Sequence, residues 1–337
     1  MVDAGHRVSR SFFAGWRACL APMAGYSDAP LRLICSELGA DFTFTGLVSA
    51  DGLVRGRESS AALMRRVEGE APLGVQLFGA SSESMACAAA IAERAGAAFV
   101  DLNFGCPAKK VIRKNGGAAL MRDLGRMGCI ARAVVSGVSI PVTAKIRSGW
   151  SAEERNFVEA GLALEQCGVS AITLHPRPWS QGFSGHAHWE EIARLRESLS
   201  IPVIANGDIK SISDYREITT VTGCSSVMIG RGALGNPWLF REIKDAAEGR
   251  MPREAGFLER LEVMERHVSM QVDFFGERTA VKEMRKFYRW YLRSFQGIKK
   301  FRAALSVVET YQEVMEMLAA LREELLENGR GAAQEAS

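Results

Sequence analysis

The sequence predicts a (β/α)8 barrel followed by a smaller all-helical domain. Three observations lead there. Strand-like and helix-like runs alternate through eight repeats within about 230 residues. Most of the strand-like runs are apolar throughout, as in a parallel sheet covered on both faces. The alternation then stops near residues 248–256, "EGRMPREAG", where glycine and proline punctuate the chain and no further strand follows.

In chain order the predicted strands are "ACLAPM" (18–23), "DFTFTG" (41–46), "LGVQLFG" (73–79), "FVDLNFG" (99–105), "PVTAKIR" (141–147), "AITLHP" (171–176), "PVIANG" (202–207) and "SVMIG" (226–230). Helical periodicity fills the intervals, as in "ESMACAAAIAERAG", "AEERNFVEAGLALEQCG", "HWEEIARLRESL" and "SISDYREITT", and "NPWLFREIKDAAEG" follows the last strand. An open doubly wound sheet is the competing arrangement. It needs a G-x-G-x-x-G loop after an early strand, and none is present. The boundaries that follow are an N-terminal extension over 1–15, the barrel over 16–248, a helical domain over 249–327 and a flexible tail over 328–337.

Composition bounds the function. A chain of 337 residues accommodates one large and one smaller domain, and a net charge of +3 announces no global field for a polyanion. Its seven cysteines are odd in number and scattered, with no C-x-x-C, which argues against a disulfide framework, a zinc site and an iron–sulfur cluster. A reduced, cytoplasmic and monomeric protein is expected. No apolar run is long enough to cross a bilayer, and the early "FFAGW" is cut by Arg17, unlike a signal peptide.

In such a barrel chemistry sits where strands end. Strand 1 ends in Pro22-Met23-Ala24, strand 3 carries Gln76, strand 4 carries Asn103 and leads to Cys106, and strand 5 carries Lys145 and Arg147. Strand 6 ends in His175, strand 7 in Asn206-Gly207-Asp208 and strand 8 in Gly230-Arg231-Gly232. The last two loops read as a site for one phosphate, where glycines admit backbone N–H groups and an arginine adds a charged fork. Lys145 and Gln76 could hold the polar edge of a flavin, with Lys145 near N1 and O2. The bland alternatives are a buried lysine paired with a carboxylate and a core histidine. Cys35, Cys87, Cys129 and Cys167 lie in helical patterns and read as small core hydrophobes. Cys106 stands apart, on a Gly–Cys–Pro loop directly after a strand.

Taken together, "APMAGYSD", "GVQLFG", "VDLNFGCPAKKV", "GGAALMRD", "VTAKIRSGW", "ITLHPR", "IPVIANGDI" and "VMIGRGALGNPWLF" resemble the tRNA-dihydrouridine synthases, most closely the bacterial B-type branch. The resemblance runs through the whole barrel in order, and the helical tail fits it. It implies FMN held by Pro22, Met23, Ala24, Gln76, Lys145, Asn206, Gly207, Asp208, Gly230 and Arg231, with His175 beside the flavin, and NADPH or NADH as reductant. It implies that Cys106 is the acid that protonates C5 of a tRNA uridine while hydride from reduced FMN N5 reaches C6. Two segments depart from the family pattern: Gly46 stands where an acidic residue is usual, and His175-Pro176-Arg177-Pro178-Trp179 replaces H-G-R-T-R. A flavin barrel acting on a free small molecule and a non-catalytic RNA-binding barrel are the other function classes.

RNA contacts are expected at Asn103, Lys109, Lys110, Arg147 and Arg177 around the barrel mouth. Lys109 and Lys110 should point away from the thiol, which must stay protonated to act as an acid. In the helical domain, Met284, Phe287, Tyr288, Tyr291, Leu292 and Phe295 form one stripe of "KEMRKFYRWYLRSF". Lys282, Arg285, Lys286, Arg289 and Arg293 form the opposite, basic stripe, extended by Lys299, Lys300 and Arg302 beyond Gly297. Acidic partners at i+4 are almost absent, so this face is expected to meet phosphates. A solvated helix face is the alternative.

Overall fold

A computed structural model of the chain describes residues 12, 13, 15–294 and 299–335, with side chains described for 12, 13, 15–293 and 300–327. The predicted Phe295, Gly297, the Lys299 side chain, most of the N-terminal extension and the side chains of the predicted tail lie outside the described residues.

All eight predicted strands form. They are β1 (Ala18–Leu20), β2 (Thr43–Phe44), β4 (Leu73–Phe78), β5 (Phe99–Asn103), β6 (Val142–Arg147), β7 (Ala171–His175), β8 (Val203–Asn206) and β9 (Ser226–Ile229), and a two-residue strand β3 (Val48–Ser49) also pairs with β4. Every pairing is parallel, and the order is β1-β9-β8-β7-β6-β5-β4-β2. The ring closes where Leu20 N donates to Phe42 O at 3.2 Å, beside a parallel bridge between Cys19 and Phe42.

Two cores follow from the period-2 alternation of the strands. Outward residues such as Val75, Leu77, Val100, Leu102, Ala144, Ile146, Ile172 and Leu174 are buried under the surrounding helices. Inside the barrel, Cys19, Phe42, Phe44, Phe99, Ala171, Ile204 and Met228 form a second cluster, closed from below by Phe13 and Trp16. The barrel packing therefore reaches back to Phe12 and Phe13, within the stretch expected to be an extension.

The expectation that the strands are apolar throughout does not hold for the middle of the sheet. On β5 the inward series is Phe99, Asp101, Asn103; on β6 it is Thr143, Lys145, Arg147; on β7 it is Ala171, Thr173, His175. Each series turns from small or apolar to polar towards the C-terminal mouth. The lower interior is a dry core and the upper interior lines a site, so one face cannot be uniformly apolar.

Helices cover the barrel between strands: α1 (Ala29–Glu37), the short α2 (Ala50–Val54) and α3 (Glu58–Ala61), α4 (Ser82–Arg94), α5 (Lys109–Ile112), α6 (Leu124–Gly137), α7 (Phe157–Gln166), α8 (Trp189–Ser198), α9 (Ile212–Thr222) and α10 (Leu239–Ala247). Helix α7 starts five residues later than its periodicity suggested. Its preceding loop is shaped instead by Trp150 N donating to Glu154 O and Asn156 Nδ2 donating to Met121 O. Cys35 and Cys167 are buried as expected, but Cys87 and Cys129 are exposed. The buried stripes of their helices run through Met85, Ala88, Ala89 and Ala92, and through Met127, Ile130, Ala131 and Val134, and both cysteines fall off them.

The remaining helices, α11 (Phe257–Phe275), α12 (Glu277–Tyr291), α13 (Lys299–Leu305) and α14 (Tyr311–Glu335), contain no strand and pack as a separate layer. Met284, Phe287, Tyr288, Tyr291 and Leu292 of the predicted apolar stripe are all buried. The layer docks on the barrel beside β1 and β9. Gln271 donates to Asp28 Oδ2 at 2.7 Å, Tyr26 meets Phe287 edge-on at 5.5 Å, and Arg266 pairs with Glu37. Gly235, at φ +67°, lies against α12 so closely that a Cβ there would sit 2.3 Å from the Trp290 backbone, so only glycine fits.

Candidate active site

The inward polar residues join into a directed chain. Thr143 Oγ1 donates to Asp101 Oδ1 and Gln76 Nε2 donates to Asp101 Oδ2, each at 2.6 Å. Asn103 Nδ2 donates to Gln76 Oε1 at 2.7 Å, and Asn103 Oδ1 accepts the backbone N–H of Cys106 at 2.9 Å. A carboxylate can only accept while ionised, so Asp101 orients the Gln76 amide, Gln76 orients Asn103, and Asn103 fixes the cysteine loop. Register makes the chain possible, since β-pairing sets Gln76 beside Asp101, Asp101 beside Thr143 and Asn103 beside Lys145.

On the other side of the mouth Lys145 Nζ donates to Asn206 Oδ1 at 2.8 Å, and Asn206 Nδ2 donates to Met228 O at 2.7 Å. Both ends of the Asn206 amide are thus occupied, and it acts on the cavity by aiming Lys145. Burial, then the neighbouring Arg147, lowers Lys145 to about 8, so the ammonium persists at neutral pH but is easily perturbed. Burial pushes the Cys106 thiol up, against the opposing pull of the Ala108 backbone N–H, Arg147 and Lys145, so the thiol is protonated at neutral pH. Burial and the surrounding cations hold His175 well below the usual histidine range, leaving a neutral imidazole.

Pro22, Met23, Ala24, Gln76, Asn103, Cys106, Lys145, Arg147, His175, Arg177, Asn206, Gly207, Asp208, Gly230 and Arg231 line one cavity of about 540 Å³. That volume suits a cofactor-sized ligand. The lining combines apolar Ala21, Met23, Leu47 and Met228 with polar Lys145 and Gln76. This donor set and apolar lining fit a flavin. At the far end Gly207 and Asp208 adopt φ +127° and +58°. Gly232 approaches the loop after β8 so closely that a Cβ would lie 2.0 Å from Ile209 O. Arg231 is exposed at this end, its guanidinium 4.7 Å above the ring of Phe183. The Asp208 carboxylate is already held by Arg177 Nη2 at 2.7 Å and Ala187 N at 2.9 Å. A phosphate there would meet the backbone of residue 208 rather than its side chain.

The residues expected to touch RNA separate into groups. Lys109 and Lys110 are exposed on α5, and the cations acting on Cys106 are Arg147 and Lys145. Asn103 faces the cavity. Arg147 and Arg177 are only 2% and 1% exposed. Arg147 donates to the carbonyls of Gly105, Pro178 and Gly182, and Arg177 to those of Ser184 and Gly185 as well as to Asp208. They brace the mouth loops from within and do not form a surface for phosphates. On α12, Lys282 and Arg289 are exposed, and so is Arg293 in the turn directly after it. Arg285 is half-buried and donates to Val308 O at 2.7 Å. Lys286 pairs with Glu283, an acidic partner at i−3, so the basic face is partly neutralised by its own helix, contrary to expectation.

Several site residues escaped the sequence reading. Asp101 sits mid-strand with no loop signal, and Phe183 and Trp290 also line the mouth, the latter inside the amphipathic segment but in neither of its two stripes. A second cleft of about 860 Å³ continues from the cavity between barrel and helical layer, sharing Arg177, Phe183, Asp208, Lys210, Arg231 and Trp290 and adding Trp189, Arg260 and Arg293.

Residues 19–328 match the family model described as dihydrouridine synthase (Dus). The chain is 38% identical over 307 residues to the tRNA-dihydrouridine synthase B of Proteus vulgaris, covering 91% of this chain and 95% of the relative. It is 39% identical over 308 residues to that of Yersinia pestis, covering 90% and 95%. Among solved structures, histamine dehydrogenase from Rhizobium sp. 4-9 superimposes with a TM-score of 0.52 at 16% identity, over 75% of this chain and 49% of that one. A 2-naphthoyl-CoA reductase complex does so with 0.54 at 12% identity, over 69% and 50%. These distant likenesses concern the barrel fold alone.

Proposed function

The chain belongs to the dihydrouridine synthase family, and from that premise we propose how its own residues reduce a tRNA uridine to 5,6-dihydrouridine. The enzyme is a flavin-dependent oxidoreductase. We assign the flavin as FMN, because the loops after β8 and β9 offer a single phosphate site, and NADPH as its reductant. When bound and reduced, the flavin supplies the hydride that reaches uracil C6.

The rest is the work of the chain. Lys145, aimed by Asn206, sits where it can hold the polar edge of the isoalloxazine ring, and Gln76 presents its amide in one fixed orientation. Cys106 delivers the proton to C5. The observation that carries this reading is the Cys106 loop itself: a thiol at the mouth of the cavity, tied by its backbone to Asn103 and kept protonated by burial. A thiol is a far better acid than water, and positioned general acids contribute about 10²–10⁴-fold in rate. Neutral His175 and buried Arg147 wall the mouth. The uridine must leave its stack to enter, as with other enzymes that act on a base. The adjoining cleft, with Lys210, Arg260 and Arg293, suits the flanking RNA. We place the reaction in the cytoplasm, where tRNA is processed, and in a monomer, since the cavity is complete within one chain.

The test is mass spectrometry of tRNA from cells with and without the gene, paired with Cys106→Ala. The variant is expected to keep FMN and to fail to form dihydrouridine. Turnover of free uridine at the rate of tRNA would favour a small-molecule reductase instead, and normal tRNA turnover by the alanine variant would remove Cys106 as the acid.

A further inference from the structure

The three residues of the cysteine loop are gripped one by one. Gly105 O accepts from Arg147 Nε at 2.9 Å, Cys106 N donates to Asn103 Oδ1 at 2.9 Å, and Cys106 O accepts from Ala118 N at 3.2 Å. The last grip comes from outside the barrel: Trp179 Nε1 donates to Pro107 O at 3.3 Å. Trp179 lies at the segment that departs from the family pattern. Its indole stacks on that of Trp150, with centroids 4.1 Å apart and planes 11° from parallel. The pair is locked by the backbone, since Trp179 N donates to Gly149 O at 2.9 Å and Ser180 N to Trp150 O at 3.0 Å. Arg122 covers the outer face of Trp150 at 5.1 Å. Two loops, those after β6 and β7, are thereby joined and turned on the loop after β5.

We propose that the Trp150–Trp179 stack is a clamp on the catalytic loop, and that Trp179 is a positioning residue that holds Cys106 at the mouth through Pro107. The proposal rests on the reading of Cys106 as the acid. Proline has no N–H, and the Ala108 carbonyl that follows is taken by Val111 N and Ile112 N of its own helix, so the indole N–H is the one side-chain donor that fixes the loop's outgoing end among the described residues. A loop tied at Gly105 and Cys106 alone could still swing about Pro107, and general acid catalysis is sensitive to such displacement.

Trp179→Phe keeps a ring for the stack and removes the donor. In a single-turnover reaction of pre-reduced holoenzyme with tRNA, the rate of dihydrouridine formation should fall about three- to tenfold, the scale of one lost hydrogen bond. The KM for tRNA, the FMN content and the rate of flavin reduction by NADPH should stay unchanged. Alkylation of Cys106 by iodoacetamide, followed on its own tryptic peptide by mass spectrometry, should accelerate as the loop loosens. Trp150→Ala, which removes the other half of the clamp, should act in the same direction. Wild-type rate and wild-type Cys106 alkylation in Trp179→Phe would overturn the clamp. A faster alkylation in that variant, with Cys106→Ala fully active, would keep the clamp and overturn only the role of the thiol.

Discussion

The carboxylate of Asp101 takes the side-chain amide of Gln76 at 2.6 Å in the fully buried middle of the barrel, and that contact is what orients the mouth two residues above it. Burial raises Asp101 to about 6, against the pull of its bonds to Gln76 and Thr143, so it is mostly ionised at neutral pH. Its replacement by asparagine should be mild. The Thr143 hydroxyl can turn to accept from the new amide, whose oxygen still faces Gln76. Asp101→Leu leaves the Gln76 amide without its acceptor, and an unsatisfied buried group costs about 1–3 kcal/mol. The expected outcome is near-normal dihydrouridine formation in Asp101→Asn and a roughly ten- to hundredfold loss in Asp101→Leu. Both should retain flavin through Lys145. Quenched single turnovers and the flavin absorbance of the purified variants check this; equal rates in the two would remove Asp101 from the chain of orientation.

The Cys106 thiol provides a pH signature. The proposed proton transfer needs its acid form, and burial raises its pKa above that of a free thiol, about 8.5. A raised value keeps the proton on through the neutral range and moves the alkaline limb upward. Alkylation of Cys106 with iodoacetamide should therefore stay slow through pH 8.5 and rise only at higher pH than for a model thiol. Lys145→Met removes a cation that favours the thiolate, so it should push that rise higher still. A limb below pH 8.5 in the wild type would mean that the cations outweigh burial.

Between the barrel and the helical layer, His267 is buried between Tyr291 and Gln271, with Nδ1 3.1 Å from the Tyr291 hydroxyl and Nε2 3.3 Å from Gln271 Nε2. Asp28, Lys286 and Cys35 complete the polar and titratable groups around this contact. Burial, then Lys286, lowers His267 to about 3. The unfolded chain takes up this proton near pH 6.5, whereas the folded one resists it down to about 3. Stability from this group is thus complete above pH 6.5 and is lost as pH falls through that window, by about 1.4 kcal/mol per unit. Urea denaturation at pH 7 and pH 5 should show a steeper acid loss in the wild type than in His267→Gln, by about one and a half units' worth of that slope at most, since only the span below pH 6.5 counts. Parallel pH profiles would show that His267 is not buried neutral.

How much of this was legible depended on what each residue does. The eight strands could be read from their short apolar runs between helical patterns, and the apolar stripe of α12 from its period of 3.6, because burial on one or both faces selects residue type. Cys106, Lys145 and Arg231 stood out because glycine, proline and charge at strand ends are rare without a reason. Asp101 did not, since a carboxylate inside an apolar run is distinguished only by the register that sets it beside Gln76 and Thr143. Arg147 and Arg177 looked like surface cations because sequence does not tell a charged fork that holds carbonyls from one that awaits phosphate. Cys87 and Cys129 were misplaced although their own helical periodicity put them on the outer faces. Trp179 carried its signal as a departure from the family pattern, and its partners, Trp150 and Pro107, lie on other loops.

The same division along α12 and the turn after it decides how RNA binding should respond to mutation. The sequence presents five basic residues on one side, but the fold leaves Lys282, Arg289 and Arg293 exposed and without an ion pair among the described residues. Arg293 lines the cleft that opens from the catalytic cavity beside Trp290. Arg285 instead donates to Val308 O and fixes the start of α14, and Lys286 is tied to Glu283 while lying 5.5 Å above the Tyr26 ring. Each phosphate contact adds about 0.9 to the dependence of log K on log salt for a duplex and about 0.7 for a single strand. Arg289→Ala with Arg293→Ala should therefore weaken tRNA binding and flatten the salt slope by up to about 1.8, leaving thermal stability and NADPH-driven flavin reduction intact. Arg285→Ala should do the opposite: it removes a half-buried hydrogen bond from a charged group and costs about 1–3 kcal/mol in stability, with the slope unchanged. Binding titrations across a salt series, read beside melting curves, distinguish the two. A slope that moves with Arg285 and not with Arg289 and Arg293 would place the RNA against the Arg285–Val308 contact and away from the cleft.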